Sequence, residues 1–160
     1  MKKLFLLLVV VICAAGVISG AKYYIEHQND VDQAYVKANK DRADAVLVDV
    51  RSREIFNGKA PRTGLAGGHI DGSINLPRSE VIELIGINDK AKAVETLAQA
   101  GITRDKELIL YCNTGKHASD VANYLVKYFD FERSKIKNYR GSVVDWVTNP
   151  ENKLFPEDHE

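Results

Sequence analysis

One cysteine and the short polar segment after it are the residues of this sequence best suited to covalent chemistry. Cys112 directly follows the apolar run Leu108–Tyr111. The thiolate is the nucleophilic form of cysteine, and thiols beside a cation or a helix N-terminus ionise more readily than free ones. Unpaired N–H groups at a helix N-terminus also attract anions. We therefore predict that Cys112 is a catalytic nucleophile in an anion-binding loop formed by Asn113, Thr114, Gly115, Lys116, His117 and Ala118.

Two regular elements are expected to position this loop. The run Leu108–Tyr111 has the composition of a buried strand, which would end immediately before Cys112. After the loop, apolar residues recur at helical intervals: Ala118, Val121, Ala122, Leu125 and Phe129. The pattern predicts a strand, a tight loop and an amphipathic helix, with Cys112 at the junction.

A second pair of polar residues follows another apolar run. The segment Ala45–Val50 is typical of an interior strand in a parallel sheet. Asp49 and Arg51 then fall at its carboxyl end, where open α/β sheets hold their functional groups. A structural role for both is favoured over a catalytic one. In that role Asp49 would hold loop backbone, and Arg51 would pair with a nearby carboxylate.

The region between these two strands contains several weaker candidates. Residues 52–67 are polar, with several glycines and a proline, and predict a long surface loop. Its cations Arg53, Lys59 and Arg62 could line a pocket, but exposed cations are usually only solvated, so no role is assigned to them. His69 is kept as a supporting residue, although a lone histidine is more often structural. The histidines and cysteines lack metal-ligand spacing, so no metal or other cofactor is expected.

The remaining pattern alternates between strands and helices. A first helix is predicted over about 30–40, and another after Asn88 or Asp89, ended by Gly101. Its predicted inner face consists of Ala91, Val94, Leu97 and Ala98. A short strand is expected around 136–139, followed by a closing apolar cluster formed by Val143, Val144, Trp146 and Val147. The alternation predicts a three-layer α/β domain with a mainly parallel central sheet flanked by helices.

The first 21 residues differ from the rest of the chain. A basic start is followed by the apolar run Leu4–Ile18 and by small residues up to Ala21. These features predict an export signal cleaved after Ala21, and an uncleaved membrane anchor is the alternative. Residues 22–40 would then be a tether and first helix, 41–155 the domain, and 156–160 an acidic tail. In either case the domain is expected outside the cytoplasm, periplasmic or secreted.

Charge and cysteine content limit the classes of partner. Removing Lys2 and Lys3 leaves 20 of the 22 basic residues against 22 acidic ones. This balance gives no reason to expect nucleic acid, and a membrane is expected only if the first segment is uncleaved. After cleavage Cys112 would be the one cysteine left, in a compartment where thiols are normally paired. Its loop position favours a reactive thiol over an inert one.

Four motifs in register resemble a rhodanese-like domain over residues 41–155. They are Asp49-Val50-Arg51, then Gly68-His69-Ile70-x-Gly72-Ser73-x-Asn75-x-Pro77, then Cys112-x-x-Gly115-x-x-Ala118, then Arg140-Gly141-Ser142 leading to Trp146. The long 52–67 loop and the ending are most similar to the catalytic half of the tandem thiosulfate and mercaptopyruvate sulfurtransferases. The resemblance therefore agrees with the predicted α/β fold.

The resemblance implies sulfur transfer through a persulfide on Cys112. A small anionic donor such as thiosulfate would give up its sulfane sulfur, and a thiol or cyanide would accept it, without a cofactor. Many thiosulfate-using members carry a cation directly after the cysteine, where this chain has Asn113. Lys116 and His117 are therefore the candidate cations of the loop. The resemblance leaves the oligomeric state open.

Three other classes of protein are alternatives to this enzyme. The related dual-specificity phosphatases need arginine six residues after the cysteine, and this chain has Ala118 there, which excludes phosphate binding of that kind. A thiol–disulfide oxidoreductase would carry Cys-x-x-Cys, which is absent. The remaining rival is a non-enzymatic rhodanese-like module that binds a partner or senses oxidants in the cell envelope.

Overall fold

The structure, a computed structural model, describes residues 27–62 and 64–156. The predicted leader, the first residues of the tether and nearly all of the acidic tail lie outside these ranges. Strands and helices are numbered here in chain order. The strands are β1 (Asp30–Val31), β2 (Ala45–Asp49), β3 (Ile74–Asn75), β4 (Glu107–Tyr111) and β5 (Ile136–Tyr139). The helices are α1 (Gln33–Asn39), α2 (Arg53–Phe56), α3 (Arg78–Gly86), α4 (Lys90–Gln99), α5 (Lys116–Phe129) and α6 (Ser142–Trp146), with a 3-10 turn at Arg133–Lys135.

The five strands form one parallel sheet in the order β1-β5-β4-β2-β3. Strand β4 lies in the centre and pairs with β2 from Ala45↔Glu107 to Asp49↔Tyr111. Because the strands are parallel, their carboxyl ends meet at one edge of the sheet. The residues that follow β2 and β4, including Arg51 and Cys112, therefore lie near one another, as open α/β sheets require for a site.

Helices cover both faces of the sheet, which confirms the predicted three-layer α/β architecture. Residues of β4 alternate between two apolar clusters, as strand geometry requires. Leu108 and Leu110 join the cluster that contains α3, α4 and α5. Ile109 and Tyr111 join the cluster on the opposite face, which contains residues of α1 and α6. Both faces of β4 are thus buried, which explains its nearly continuous apolar sequence.

Helix α5 has the inner face that the sequence predicts. Its buried residues are Ala118, Val121, Ala122, Leu125 and Phe129. It begins after Gly115, whose φ of 81° is left-handed, and it ends at Asp130, whose φ of 57° is also left-handed. A left-handed residue stops the helix by reversing the backbone direction. Gly115 thus fixes the start of α5 at Lys116, four residues after Cys112.

The structure differs from the sequence-based expectations in four places. The predicted loop 52–67 contains the short helix α2, and residues 78–86, which were assigned no element, form α3. In α4 the buried residues are Ala93 and Leu97, whereas Ala91 and Ala98 of the predicted face are exposed. The closing cluster is also only half buried, because Val144 and Val147 are 44% and 45% exposed.

Among the described residues, no helix is long and apolar enough to cross a bilayer.

Candidate active site

Cys112 lies immediately after the central strand β4, at the junction that the sequence predicts. The residue is 2% exposed, and helix α5 starts four positions later at Lys116. The backbone N–H of Gly115 donates a hydrogen bond of 3.2 Å to Cys112 Sγ. The loop therefore turns at least one main-chain donor toward the sulfur. A donor in this position stabilises negative charge on sulfur.

A cavity of about 270 Å³ opens onto this sulfur despite its low exposure. One wall consists of Cys112 and its loop, with Asn113, Thr114, Lys116 and His117. The opposite wall comes from the segment after α2, through Pro61, Arg62 and Leu65. Two basic side chains, Lys116 and Arg62, thus line the same cavity as Cys112. A small anion fits this charge distribution.

Arg62 was not assigned to the site from sequence. It lies after α2 and outside the described helices and strands, and its neighbours in sequence carry no motif of their own. The segment reaches the cavity because its ends are close together. Gly68 N–H bonds to the Ile55 carbonyl at 2.8 Å, and a Cβ on Gly67 would overlap the backbone of Gly58. Only the folded loop therefore shows that Arg62 faces Cys112.

Hydrogen bonds from the start of α6 hold the Cys112 loop in place. The backbone N–H of Cys112 donates to Ser142 Oγ at 3.1 Å, and this hydroxyl donates to the Tyr139 carbonyl at 2.8 Å. Val143 N–H bonds to the Cys112 carbonyl at 3.2 Å, and Val144 N–H bonds to the Asn113 carbonyl at 3.1 Å. Three consecutive residues at the start of α6 thus hold Cys112 and Asn113 in place.

Two residues, one beneath the loop and one within it, have a positive φ. Ser142, which is fully buried, has a φ of 51°, in the left-handed region that serine rarely enters. Such a residue costs about 1–3 kcal/mol and persists only where its surroundings require it. Here the hydroxyl contact with Cys112 is one such requirement. Gly115, the other residue, could not carry a side chain, because its Cβ would overlap the Arg140 carbonyl oxygen.

Asp49 and Arg51 form a buried ion pair with each other. Their side chains are 0% and 1% exposed, and Arg51 Nη2 donates to Asp49 Oδ2 at 2.6 Å. Asp49 Oδ1 also accepts the backbone N–H of Arg51 at 2.9 Å. Burial alone would lower the pKa of Arg51, but hydrogen bonds and charge from Asp49, with smaller contributions from Tyr111 and Cys112, raise it above its ordinary value. The guanidinium is therefore a fixed positive charge.

This ion pair links the ends of three chain segments. Arg51 Nη1 donates to Asn113 Oδ1 at 3.4 Å and to the Ala66 carbonyl at 3.2 Å. Arg51 Nη2 donates to the Gly68 carbonyl at 2.5 Å. The pair thus connects β2 both with the Cys112 loop and with the segment that carries Arg62. Asp49 itself does not line the cavity. The ion pair therefore acts by holding the Cys112 loop and the segment that carries Arg62 in position.

The other supporting candidate, His69, lies outside the cavity in front of Cys112. Its ring stacks on Phe56, with centroids 3.8 Å apart and planes 4° from parallel, and its Nδ1 lies 3.1 Å from the Phe56 carbonyl. Its backbone exchanges two hydrogen bonds of 2.8 Å with Phe155 in an antiparallel bridge. These contacts are the structural role that a lone histidine usually has. His69 thus lies at the base of the segment that carries Arg62, and it does not contact the Cys112 sulfur.

The predicted loop residues thus divide into two groups. Cys112, Asn113, Thr114, Lys116 and His117 line the cavity. Gly115 contributes its N–H to the sulfur, whereas Ala118 is fully buried in the core beneath the loop. Within residues 27–62 and 64–156, no group of three or more His, Cys, Asp or Glu side chains could hold a metal ion.

Comparison with known proteins gives one family match and several relatives. A family model described as a rhodanese-like domain matches residues 32–149. The sulfur carrier protein TtuD of Thermus thermophilus is 30% identical over 131 residues, which cover 75% of this chain and 44% of that protein. The 3-mercaptopyruvate sulfurtransferase of Mus musculus is 27% identical over 130 residues, which cover 76% of this chain and 43% of the relative.

Solved structures share the fold at lower identity. The anaerobic ergothioneine biosynthesis enzyme from Chlorobium limicola, in complex with trimethyl histidine, matches with a TM-score of 0.67 at 24% identity. The match covers 80% of this chain and 32% of that one. The chain spans less than half the length of the curated relatives it matches.

Proposed function

Because the chain belongs to the rhodanese-like domain family, we propose that it transfers sulfane sulfur from a small anionic donor to a thiol or cyanide through a persulfide on Cys112. The observation that carries the proposal is the setting of Cys112 Sγ. It accepts the Gly115 N–H at 3.2 Å and borders a cavity that Arg62 and Lys116 also line. The relatives named as thiosulfate and 3-mercaptopyruvate sulfurtransferases support the same class of reaction.

In the first half-reaction the Cys112 thiolate attacks the outer sulfur of thiosulfate. A new S–S bond forms to Cys112 Sγ while the S–S bond of the donor breaks. The electron pair of that bond leaves with sulfite, and Cys112 keeps the transferred sulfur as Cys112–S–S⁻. The total charge of −3 is unchanged in this step, so stabilisation must come from donors and cations already in place.

The residues around the cavity can supply that stabilisation. In this step negative charge leaves Cys112 Sγ and develops on the departing sulfite. Gly115 N–H therefore acts by stabilising Sγ in its reactive thiolate form, and the charges of Lys116 and Arg62 favour entry of the donor anion and stabilise the departing sulfite. A volume of 270 Å³ compares with about 30 Å³ for one water. The cavity therefore accommodates an anion of a few heavy atoms with some water.

Mass spectrometry of the intact protein tests the proposal. After addition of thiosulfate, a gain of one sulfur atom on Cys112 is expected, and Cys112→Ser should show no gain. 3-Mercaptopyruvate and a polysulfide serve as further donors. The adduct should disappear on addition of cyanide or a thiol. If none of the three donors modifies Cys112 in folded protein, the chain is a binding or redox-sensing module.

We further propose that the reaction takes place outside the cytoplasm. The support is the sequence of residues 1–21 alone, with its basic start, apolar run and small residues before position 22. Fractionation of cells that express the full chain, with N-terminal sequencing of the product, tests this. A product that begins at Lys22 in the exported fraction is expected. A cytoplasmic product that retains Met1 or Lys2 would contradict it.

A further inference from the structure

Of the described residues that line the cavity in front of Cys112, and apart from Cys112 itself, His117 alone has a side chain of a type that accepts a proton near neutral pH. The other lining side chains are apolar, neutral and polar, or basic: Pro61, Leu65, Asn113, Thr114, Arg62 and Lys116. Lysine and arginine already carry their protons at that pH, whereas imidazole changes its charge between pH 5 and 8. A proton released inside this cavity therefore has His117 as its acceptor.

The imidazole of His117 is available for this task. The residue is exposed, and within residues 27–62 and 64–156 its ring nitrogens have no hydrogen-bond partner. His69 differs, because its Nδ1 lies 3.1 Å from the Phe56 carbonyl and its ring stacks on Phe56. In a neutral imidazole one nitrogen is an acceptor and the other is a donor. His117 can therefore take up a proton and later release it.

Basic side chains border His117 on both sides: Lys116 and Arg62 in front of Cys112, and Arg51 and Arg78 in an adjoining cavity of about 260 Å³. The nearby carboxylates are already paired, Asp49 with Arg51 and Asp120 with Arg78. Aspartate, lysine and arginine do not ordinarily titrate between pH 6 and 9, whereas histidine does. The cations also favour a thiolate that remains in the cavity after its proton has been removed.

We propose that His117 is a catalytic residue of the second half-reaction, in which it takes the proton of an acceptor thiol. The inference rests on the proposed function and deepens it, because it assigns the acceptor class to thiols that are protonated at neutral pH. Aliphatic thiols are of this kind, with an ordinary pKa of about 8.5, and the thiolate is the nucleophilic form. The acceptor enters the cavity in front of Cys112 after sulfite has left.

The proton and the electrons of this step balance. His117 takes the proton of the acceptor thiol, and the resulting thiolate attacks the outer sulfur of Cys112–S–S⁻. A bond forms between these two sulfur atoms as the S–S bond to Cys112 breaks, and the electron pair of the broken bond returns to Cys112 Sγ, which accepts the Gly115 N–H. The imidazolium then gives its proton to the outer sulfur, and the product leaves as R–S–SH. The net charge is unchanged, and no oxidant or reductant is required.

The pH dependence of persulfide discharge tests the proposal. The Cys112 persulfide is first formed from thiosulfate or a polysulfide, and excess donor is removed. Its loss to reduced glutathione is then followed by mass spectrometry between pH 6 and 9. Without a base in the cavity, the rate follows the ionised fraction of glutathione and rises about tenfold per pH unit below the pKa of the thiol. With His117 as the base, the rate should be nearly flat between about pH 7 and 8.

His117→Gln should slow the discharge at least tenfold at pH 7. A positioned general base contributes about 10²–10⁴-fold, and the ionised fraction of glutathione recovers part of that loss. The factor should decrease at least fivefold between pH 7 and pH 9, because glutathione then supplies its own thiolate. The same factor at every pH, or no change at any pH, would refute the role of His117.

Lys116→Gln is the matched comparison. It removes a charge from the same cavity, but lysine does not exchange a proton in this pH range, so it should slow discharge by one factor at every pH. Imidazole in solution should accelerate discharge in His117→Ala, since the position is exposed, and should not accelerate it in Lys116→Gln. Equal acceleration of the two variants would contradict the proposal.

The same experiment separates this proposal from the proposed function. If the unmodified protein forms no persulfide with any donor, the proposed function itself fails. If the persulfide forms and glutathione removes it, but His117→Gln shows the same dependence on pH as Lys116→Gln, only the role of His117 is refuted.

Discussion

Substitution of Gly115 by alanine tests how strictly the loop geometry controls sulfur chemistry. Gly115 has a φ of 81°, and its N–H is the donor to Cys112 Sγ. A Cβ at this position would overlap the Arg140 carbonyl oxygen and lie 3.1 Å from both the carbonyl carbon and the Cα of Arg140. Since these are backbone atoms at the end of β5, they cannot move aside as a flexible side chain would.

The expected size of the effect follows from two terms. The left-handed conformation costs alanine about 1–2 kcal/mol relative to glycine. Relief of the overlap needs a displacement of about 1 Å, and a misplacement of that size at a reacting centre costs on the order of 10²-fold in rate. Moving the Gly115 N–H by this amount would also stretch its 3.2 Å contact with sulfur beyond hydrogen-bond distance.

Gly101→Ala is the matched control for the backbone term. Gly101 has a φ of 83°, and a Cβ there would meet only Ile74 Cδ1 at an ordinary 3.6 Å. The position follows α4, away from Cys112. Both variants should therefore be destabilised by the left-handed backbone conformation. Only Gly115→Ala should also displace the N–H that donates to Cys112 Sγ.

Single-turnover formation of the Cys112 persulfide, followed by mass spectrometry, measures the difference. Gly115→Ala should react on the order of 100-fold more slowly than the unmodified protein, while Gly101→Ala should remain within about twofold of it. Urea unfolding, followed through the fluorescence of Trp146, checks that both variants are folded. Trp146 is the one tryptophan of the chain and is 5% exposed. Equal persulfide rates for the two variants would refute the reasoning.

Three further predictions concern charge. Asp49→Asn leaves the buried Arg51 without its carboxylate and should lower the free energy of unfolding in urea by about 3–5 kcal/mol; a loss below about 1 kcal/mol would contradict the role of this pair. Lys116→Ala should reduce kcat/KM for thiosulfate more at low ionic strength than at high, because salt screens the lost attraction; an unchanged salt dependence would show a merely solvated lysine. Burial and the 2.7 Å contact with Glu107 raise the pKa of Tyr35 to about 12, so the stability from this neutral phenol is present below pH 10 and lost as the pH rises toward 12. Urea unfolding across that interval should show a shallower loss for Tyr35→Phe, and equal slopes would contradict it.

The parts of the fold that local sequence determines were predictable. Helix α5 follows from five apolar residues at helical spacing, and all five are buried. Strands β2 and β4 follow from runs that are apolar on both faces. In α4, by contrast, alanines dominate the apolar positions, and alanine is small enough to lie on either face. Its pattern therefore predicted the helix but not which of its alanines would be buried.

The site was predictable only where its residues are adjacent in sequence. The loop from Cys112 to His117 carries its own strand, turn and helix signals. Arg62 and Ser142 reach the site from 50 and 30 positions away. The sequence around Arg62 carries no signal of that approach, and the motif that contains Ser142 does not by itself indicate a contact with Cys112. The left-handed residue at the start of α6 illustrates the difficulty. The sequence favours Gly141 for positive φ, but Gly141 has a φ of −70° and Ser142 takes the left-handed conformation.

Gly141 is needed for a different reason, which also depends on tertiary structure. A Cβ on Gly141 would overlap the side chain of Asp145 one turn later. The Asp145 carboxylate accepts the Tyr139 hydroxyl at 2.6 Å, so this side chain has little freedom to withdraw. The glycine therefore serves close packing, which a single sequence cannot distinguish from a need for backbone freedom.

The antiparallel bridge between His69 and Phe155 has a practical consequence for work with this protein. It joins the last described residues to the base of the segment that brings Arg62 toward the sulfur, and Pro156 packs against Gly58 in the same place. Trimming the chain before Phe155, or fusing a bulky tag directly behind Pro156, would loosen the segment that carries Arg62 without altering any residue near Cys112.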